Sequence, residues 1–333
     1  MSGNPVLIAG AGSWGTALAI VLARNQYPVF LWDHDSAHIK QLQLQRKNQC
    51  YLPDIEFPES LTPVEDLKAH LQEINEVIIA VPCSGLSGVL EQLATIKQDY
   101  NICLACKGLA SGKQLLNHKV VSEYMGEKAG VAILSGPSFA KEVANGLPTA
   151  VTIASSQHSV ATLFSGIFHN EVFRIYTHND IVGVQVGGAV KNVMAIAAGI
   201  ADGLGFGANT RSALITRGLA EIMRLGIALG GKPETFMGLA GLGDLVLTCT
   251  DDQSRNRRLG LLLAKGYSPD AALKEIGQTV EGVRTVNEVM QLSRDYKIDM
   301  PISEQVFNVL NKITSPVDAV QMLLARDPKS EAE

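Results

Sequence analysis

The stretch Gly10-Ala11-Gly12-Ser13-Trp14-Gly15 follows the short apolar run Val6–Ala9 and opens the helical pattern Thr16–Asn25. Its first glycine permits a tight turn, its second lets the backbone approach a pyrophosphate group, and its third lets strand and helix pack closely. The start of the helix adds backbone N–H donors and a positive dipole. This strand–turn–helix arrangement predicts a dinucleotide site, the alternative being a glycine-rich turn of purely structural use.

Further short apolar runs follow in the first half of the chain, and helical patterns such as Leu86–Ile96 separate them. Such runs are typical of parallel strands that are buried on both faces of a sheet. Their alternation with helices predicts a doubly wound α/β sheet of the Rossmann type. The predicted strands after the first are Val29–Trp32, Val77–Val81, Ile102–Cys106, Ala132–Leu134 and Ala150–Ala154.

The second half changes character near Asp180, where long helical patterns replace the strands. We therefore expect a dinucleotide-binding domain over residues 1–182 and an all-α substrate domain over 183–326. The remaining residues, 327–333, are mostly charged and predict a frayed tail. The helical patterns of the second domain are Val184–Ile200, Arg211–Leu229, Val280–Tyr296 and Ile302–Lys312.

Composition and charge narrow the class of protein. The chain has 333 residues, of which 46% are hydrophobic, enough for a sizeable core. Its 28 Lys and Arg against 33 Asp and Glu give a net charge of −5, which argues against a nucleic-acid partner. An anionic ligand would therefore need a local cluster of cations.

The five cysteines, an odd number, do not form a disulfide framework and fit a reducing compartment. The N-terminal residues lack the cationic segment of a signal peptide, and their apolar run is too short for one. The pair Cys103 and Cys106 lies in an apolar strand rather than at a helix N-terminus, and we predict no redox role for that pair. The seven histidines show no ligand spacing, so no metal site is predicted.

The stretch Ile181–Ala201 is long enough to span a bilayer, with Lys191 as its only charge. A central lysine costs about 2.5–3.5 kcal/mol on insertion. The stretch also contains four glycines, Gln185 and Asn192, which favour a buried core helix of a protein that does not span the membrane.

Lys191 is the most informative residue of the second half. Helical spacing places it on one face with Val184, Gly188 and Ala195, which leave room around the ammonium group. Because desolvation lowers a lysine pKa, such a residue is suited to general acid–base catalysis. The alternative is a lysine that reaches solvent from the edge of the helix.

Asp33 ends the second predicted strand, where a carboxylate can bind the ribose hydroxyls of NAD. His34 follows, and as a donor or cation it would instead accept the 2′-phosphate of NADP. The choice between NAD and NADP therefore stays open, and the whole segment is also compatible with a solvated turn.

Two polar segments follow in the second half. Three glycines precede Asp244, which suggests that the backbone passes close to a ligand. Ser254, Arg255 and Asn256 offer a hydroxyl, a guanidinium and an amide, a set suited to a phosphate or a polyol. The alternative is a helix start capped by Ser254, with the arginines in solvent.

Taken together, these residues resemble the bacterial type of NAD(P)-dependent glycerol-3-phosphate dehydrogenase over nearly the whole chain. The resemblance rests on a series of stretches in a fixed order, which is more specific than any one of them. They are Gly10–Ala19, Lys107-Gly108-Leu109, Ser135–Ala140, Gly187–Asn192, Gly203–Asn209, Ala240–Leu245, Ser254–Arg258 and Val280-Glu281-Gly282.

The resemblance implies a Rossmann-like domain, a helical domain like the C-terminal part of 6-phosphogluconate dehydrogenases, and hydride transfer at C2 of sn-glycerol 3-phosphate. It makes Lys191 the proton acceptor. Substrate would contact Lys107, Gly136, Ser138, Lys191, Asn192, Asp244, Thr248, Ser254, Arg255 and Asn256. NAD or NADP would contact Gly10, Gly12, Ser13, Trp14, Gly15, His34, Lys107, Ala140, Arg255, Thr279 and Glu281.

The resemblance further implies a cytoplasmic, often dimeric enzyme that supplies glycerol 3-phosphate for phospholipid synthesis. One alternative is a related β-hydroxyacid dehydrogenase acting on a carboxylate such as 6-phosphogluconate. Ser254-Arg255-Asn256 downstream of Asp244 favours the phosphate triol over that acid. A second alternative is a non-catalytic sensor that binds NAD(H) and signals through a partner.

Overall fold

The computed structural model describes residues 3–110 and 116–327. The predicted tail, 327–333, lies outside these residues except for Asp327. Strands occupy the first half of the described chain. They are β1 (Val6–Ala9), β2 (Val29–Trp32), β3 (Lys47–Asn48), β4 (Leu52–Glu56), β5 (Leu61–Val64), β6 (Glu76–Ile79), β7 (Asn101–Leu104), β8 (Gly130–Ser135), β9 (Thr149–Ala154) and β10 (Phe173–His178).

Eight of these strands form one sheet in the order β10-β9-β8-β7-β6-β1-β2-β5, and β3 pairs with β4 in a separate antiparallel hairpin. Neighbouring strands are parallel except β8 and β9, so the predicted strand Ala150–Ala154 exists but runs against the predicted direction. β10 then runs parallel to β9. The predicted Rossmann-like α/β fold is otherwise confirmed.

Helices cover the sheet and join its strands. The glycine turn leads from β1 into the first of them, whose middle residues are fully buried against the sheet. The helices of this half are α1 (Ser13–Arg24), α2 (Ser36–Gln45), α3 (Leu86–Ala94), α4 (Asn117–Met125), α5 (Ala140–Ala144) and α6 (His158–Phe168).

From Ile181 to Asp327 the described chain consists of helices and turns, as predicted. One π-helical turn, Leu239–Gly243, runs directly into an α-helix. The helices are α7 (Ile181–Gly203), α8 (Ala208–Ala228), α9 (Pro233–Phe236), α10 (Asp244–Thr250), α11 (Arg255–Ala264), α12 (Pro269–Ile276), α13 (Glu281–Tyr296), α14 (Pro301–Leu310) and α15 (Pro316–Leu324).

Helix α7 is the centre of this helical half. By length and composition it is apolar enough to cross a membrane, but 94% of its apolar window is buried inside the protein. The prediction of a core helix is therefore confirmed. α8, α10, α11, α13 and α14 all pack against it.

Glycines bring α7 and α11 unusually close together. A Cβ atom added at Gly199 of α7 would lie 2.1 Å from the carbonyl oxygen of Arg257, and one added at Gly260 of α11 would lie 2.1 Å from that of Ile196. Neither position tolerates a side chain without movement of a backbone. This contact holds the first two turns of α11 against the C-terminal third of α7.

Candidate active site

The three glycines of the glycine turn, Gly10, Gly12 and Gly15, differ in what surrounds them. Gly10 has a φ of +111° and an added Cβ would lie 2.8 Å from the backbone of Ala80. A Cβ on Gly15 would lie 1.9 Å from the carbonyl oxygen of Gly10. Around Gly12, by contrast, no atom of the described residues other than its two chain neighbours lies within 4 Å of an added Cβ. The first and third glycines therefore serve the fold, while the second faces open space.

That open space lies at the N-terminus of α1. Gly12 is the N-cap of this helix, whose first turn carries no acidic residue and no side-chain cap. Ser13 and Trp14 form its first residues, and the Trp14 indole N–H donates to the carbonyl oxygen of Ala105. Free backbone donors beside a glycine without neighbours fit the pyrophosphate of a dinucleotide.

The carboxylate of Asp33 braces this turn. One oxygen accepts from the Ala11 N–H at 2.8 Å, and the other accepts from the Asp35 N–H at 3.1 Å. His34 lies beside it, with 2.8 Å between its Nδ1 and the carboxylate, and its side chain is 87% exposed. The structure therefore gives Asp33 a role in holding the loop and leaves the His34 ring in solvent next to it.

Lys191 lies inside the helical half with a relative exposure of 6%. Its Nζ atom donates to Asp244 Oδ1 at 2.5 Å and to Thr248 Oγ1 at 2.9 Å. The Thr248 hydroxyl in turn donates to the Asp244 carbonyl oxygen. The lysine is thus held by its partners and does not reach out to solvent.

Two opposing effects act on the pKa of Lys191. Burial lowers it, and the Lys107 ammonium acts in the same direction. The Asp244 carboxylate raises it. Burial prevails, and the pKa of Lys191 falls from 10.5 to about 8. A group with this pKa can both accept and return a proton near neutral pH.

Lys107 joins the α/β half to the same carboxylate. Its Nζ atom donates to Asp244 Oδ2 at 2.9 Å and to the Gly136 carbonyl oxygen at 2.8 Å, and lies 3.3 Å from Ser138 Oγ. It also lies 5.9 Å from the centre of the Trp14 ring. Lys107 therefore connects the glycine turn with the buried carboxylate.

A chain of amides runs beside these lysines. The Asn192 side chain donates to the Lys107 carbonyl oxygen at 3.2 Å and accepts from Asn256 at 2.9 Å. Asn256 in turn accepts from the Gly282 N–H at 2.9 Å. This chain joins α7, α11 and α13 to the segment that carries Lys107.

Arg255 stands at the start of α11, and Glu281 is the charged residue that affects its pKa most. Burial lowers the pKa of Arg255, and the Glu281 carboxylate opposes that effect. Burial likewise raises the pKa of Glu281, against the influence of Arg255, Lys191 and Lys107. Three cations, Arg255, Lys191 and Lys107, thus lie near the Glu281 carboxylate and supply the local positive charge that an anionic ligand needs.

Ser254 caps α11, because its hydroxyl accepts from the Arg257 N–H at 3.2 Å. The alternative of a capped helix is therefore right for Ser254. It does not exclude a ligand, since the capped end places Arg255 near Glu281 and Asn256 against Asn192. The arginines do not all face solvent, since Arg257 is buried and paired with Asp202 and Asp252.

The remaining predicted residues are more scattered. Gly136 has a φ of +135°, and Ala140 begins α5. Thr279, like His34, is exposed. At Gly241 the expected reason for glycine is wrong, because an added Cβ would lie 2.1 Å from the Phe236 carbonyl oxygen. That glycine serves the protein's own backbone and not a ligand.

Sequence reasoning missed Tyr51. It lies between β3 and β4, is 38% exposed, and is close enough to Arg255 of the helical half to affect the pKa of that arginine. No spacing in the surrounding residues marks it, because its approach to Arg255 depends on the tertiary packing of the hairpin.

Comparisons with known proteins agree with this geometry. Family models for the N-terminal and C-terminal parts of NAD-dependent glycerol-3-phosphate dehydrogenase match residues 5–161 and 180–321. Glycerol-3-phosphate dehydrogenases [NAD(P)+] of Nitrosococcus oceani and Thioalkalivibrio sulfidiphilus are 52% and 53% identical, over 98% and 99% of this chain and 95% and 100% of theirs.

The crystal structure of glycerol-3-phosphate dehydrogenase from Coxiella burnetii is also similar. It is 46% identical, has a TM-score of 0.94, and covers 97% of this chain and 99% of its own. With half of the residues identical over almost the full length of several relatives, this chain belongs to the NAD-dependent glycerol-3-phosphate dehydrogenase family.

Proposed function

We propose that this protein interconverts sn-glycerol 3-phosphate and dihydroxyacetone phosphate with NAD or NADP. The observation that carries the proposal is the buried Lys191, fixed by Asp244 and Thr248 next to two further cations. Its lowered pKa suits proton transfer to and from a hydroxyl group. The relatives that share half of this sequence bear the name of this activity.

The lysine performs the acid–base part of the reaction. As a neutral amine, Lys191 takes the proton of the C2 hydroxyl, and as an ammonium it returns that proton to the ketone oxygen. In the reducing direction the oxygen gains negative charge, which the nearby ammonium stabilises. Because water is largely excluded around Lys191, this attraction is stronger than it would be in bulk solvent.

Other residues of the chain hold the substrate. The guanidinium of Arg255 suits a phosphate group, which it can bind through two parallel hydrogen bonds. Asp244 and Thr248 orient the lysine, and Lys107 reaches the same place from the α/β half. We assign to substrate Lys107, Gly136, Ser138, Lys191, Asn192, Asp244, Thr248, Ser254, Arg255 and Asn256.

The open position around Gly12 is the place where this chain would hold the dinucleotide. A nicotinamide cofactor bound there would exchange hydride with C2 of the substrate. We assign to it Gly10, Gly12, Ser13, Trp14, Gly15, His34, Lys107, Ala140, Arg255, Thr279 and Glu281. Since the Asp33 carboxylate is occupied by backbone amides and His34 is exposed, we propose that both NAD and NADP are accepted.

We further propose that residues 1–182 form the dinucleotide-binding domain and residues 183–326 the substrate domain, with each domain lending a few residues to the other ligand. The protein would act in the cytoplasm as a homodimer, and its glycerol 3-phosphate would enter phospholipid synthesis. The number of cysteines, none of them in a disulfide in the structure, supports a reducing compartment.

The test is turnover of dihydroxyacetone phosphate with NADH and NADPH in parallel, followed by nicotinamide absorbance. We expect activity with both cofactors and none with 6-phosphogluconate and oxidised cofactor. Turnover of 6-phosphogluconate alone would instead establish the related β-hydroxyacid dehydrogenase. Cofactor binding without turnover of either substrate would establish the non-catalytic sensor.

A further inference from the structure

Two cysteines from neighbouring strands meet behind the candidate active site. Cys83 follows β6 and Cys106 follows β7, and these strands are paired. The side-chain amide of Asn117 donates to both sulfurs, at 3.4 Å from Cys83 and 3.6 Å from Cys106. Because one amide nitrogen binds both sulfurs, the two thiols are close neighbours. The thiol partner of Cys106 is thus Cys83 rather than Cys103, its neighbour in the sequence.

The two thiols differ in their access to solvent. Cys83 is partly exposed and lines a surface cavity of about 120 Å³ together with Ser84, Ser87 and Tyr124. Cys106 is buried, with a relative exposure of 7%. A small reagent that enters the cavity therefore meets Cys83 first, and Cys106 lies directly behind it.

The residue with the buried thiol directly precedes a residue of the candidate active site. Cys106 precedes Lys107, whose ammonium binds Asp244 and whose carbonyl oxygen accepts from Asn192. Gly108, which follows Lys107, packs closely against Cys83, because a Cβ added at Gly108 would lie 2.8 Å from the Cys83 sulfur. A change in the position of Cys106 therefore moves the backbone that carries Lys107.

We propose that Cys83 and Cys106 form an oxidation site at which hydrogen peroxide converts the dithiol to a disulfide and displaces Lys107. The Cys83 sulfur attacks one peroxide oxygen, which gives a sulfenic acid and releases one water. The Cys106 sulfur then attacks the sulfur of that sulfenic acid, and the hydroxyl group on Cys83 takes the Cys106 proton and leaves as a second water. Two thiols thus lose two electrons to one peroxide, and a dithiol reductant reverses the change.

The surroundings keep this pair reduced under ordinary conditions. The neighbouring Cys106 thiol raises the pKa of Cys83, and burial and the Glu281 carboxylate act in the same direction. Arg284 is a charged residue that lines the cavity beside Cys83. Because the thiolate is the reactive form, we expect oxidation to require an excess of peroxide over the protein.

The experiment treats the full-length protein with hydrogen peroxide, then blocks free thiols and maps cross-linked peptides. We expect a Cys83–Cys106 disulfide, a loss of most of the turnover, and recovery of both with dithiothreitol. Cys83→Ala should keep the basal turnover and resist peroxide. Cys50→Ser is the matched control, because Cys50 is exposed and has no place in the proposal. It should respond like the wild type.

Three results would overturn the proposal. One is inactivated protein in which mapping finds no link between the two cysteines. Another is a Cys83→Ala variant that peroxide inactivates at the same rate as the wild type. The third is a fully linked protein with unchanged turnover. Because the map is read independently of activity, it tests the site even if the proposed substrate is wrong. Only the expected loss of turnover rests on the proposed function.

Discussion

The helical half contains two carboxylates that are equally buried and differently partnered. Asp244 and Glu221 each have a relative exposure of 1%. Asp244 accepts from the ammonium groups of Lys107 and Lys191. Glu221 accepts from the backbone N–H groups of Ile302 and Ser303 and from the Ser303 hydroxyl. Asp244 thus binds two lysine side chains, whereas Glu221 caps the start of α14.

This difference separates a reactive site from a structural one. A buried charge needs compensation, and either ion pairs or hydrogen-bond donors can supply it. Where the partners are side chains that themselves titrate, a proton can be exchanged with a substrate. Where the partners are mostly backbone amides, the carboxylate fixes one element of the fold against another. Burial alone therefore does not identify a catalytic carboxylate.

The largest expected effect comes from removing the titrating partner of Asp244. We expect Lys191→Ala to lower kcat by roughly 10²–10⁴-fold, the usual contribution of a general acid–base group. Steady-state kinetics with dihydroxyacetone phosphate measures it. Cofactor affinity should be preserved, because Lys191 is held from within the helical half.

Lys312→Ala is the matched control for this loss of turnover. Lys312 pairs with Asp270 at an exposed position and makes no contact with Asp244 in the described chain. It should retain wild-type turnover. If the Lys191 variant also kept a near-normal kcat, the acid–base role of Lys191 would have to be abandoned.

Removing the charge of Asp244 while keeping its shape should have the next largest effect. We expect Asp244→Asn to lower kcat/KM by roughly 10- to 150-fold, since hydrogen bonds to charged groups are worth about 1.5–3 kcal/mol. Both lysines lose their shared acceptor and hence their defined positions. A kcat/KM within the error of the wild type would mean that Asp244 does not position them.

The pH dependence of turnover should follow Lys191. With a pKa of about 8, the neutral amine needed for glycerol 3-phosphate oxidation is scarce at lower pH. We expect oxidation kcat/KM to rise about tenfold per pH unit below that value and then level off. Reduction needs the ammonium and should fall above it. In Asp244→Asn the inflection should move to lower pH, since Asp244 raises this pKa. An unmoved inflection would assign it to another group.

The sequence predicted the elements whose side chains are apolar throughout and missed those that depend on position in the sheet. β1 and β2 were predicted with their observed bounds. The edge strand β5 contains Pro63, which argues against a strand unless the edge is known. The other edge, β10, alternates buried and exposed residues and does not resemble a run buried on both faces.

The same limit applies to the site. The glycine spacing could be interpreted locally, because each glycine acts within one turn. Lys191 was selected because a charge stands out in an apolar helix. Its contact with Lys107 across one carboxylate joins residues from both halves of the chain, and only the tertiary structure brings them together. The contribution of Tyr51 likewise depends on the packing of a hairpin.

The comparison is sharpest when the same chemical change is made at the structural carboxylate. We expect Glu221→Gln to leave kcat and kcat/KM unchanged, in contrast to Asp244→Asn, because Glu221 contacts α14 and neither lysine. The effect should instead appear in the free energy of unfolding. Burial raises the pKa of Glu221 from 4.5 to about 7, so the folded protein keeps a proton that the unfolded chain releases within this range.

Wild-type stability should therefore decline as pH rises from 4.5 to 7, by roughly 2–4 kcal/mol from this group alone. The glutamine variant cannot release that proton and lacks this contribution. Denaturant unfolding at pH 5 and pH 8 measures the difference, in which the titration of other groups cancels. We expect the variant to gain stability relative to wild type at the higher pH. If the free energies of unfolding of the two proteins changed equally with pH, the three donors at α14 would keep Glu221 ionised throughout. Glu221 would then keep its structural role but would not hold a proton in the folded protein.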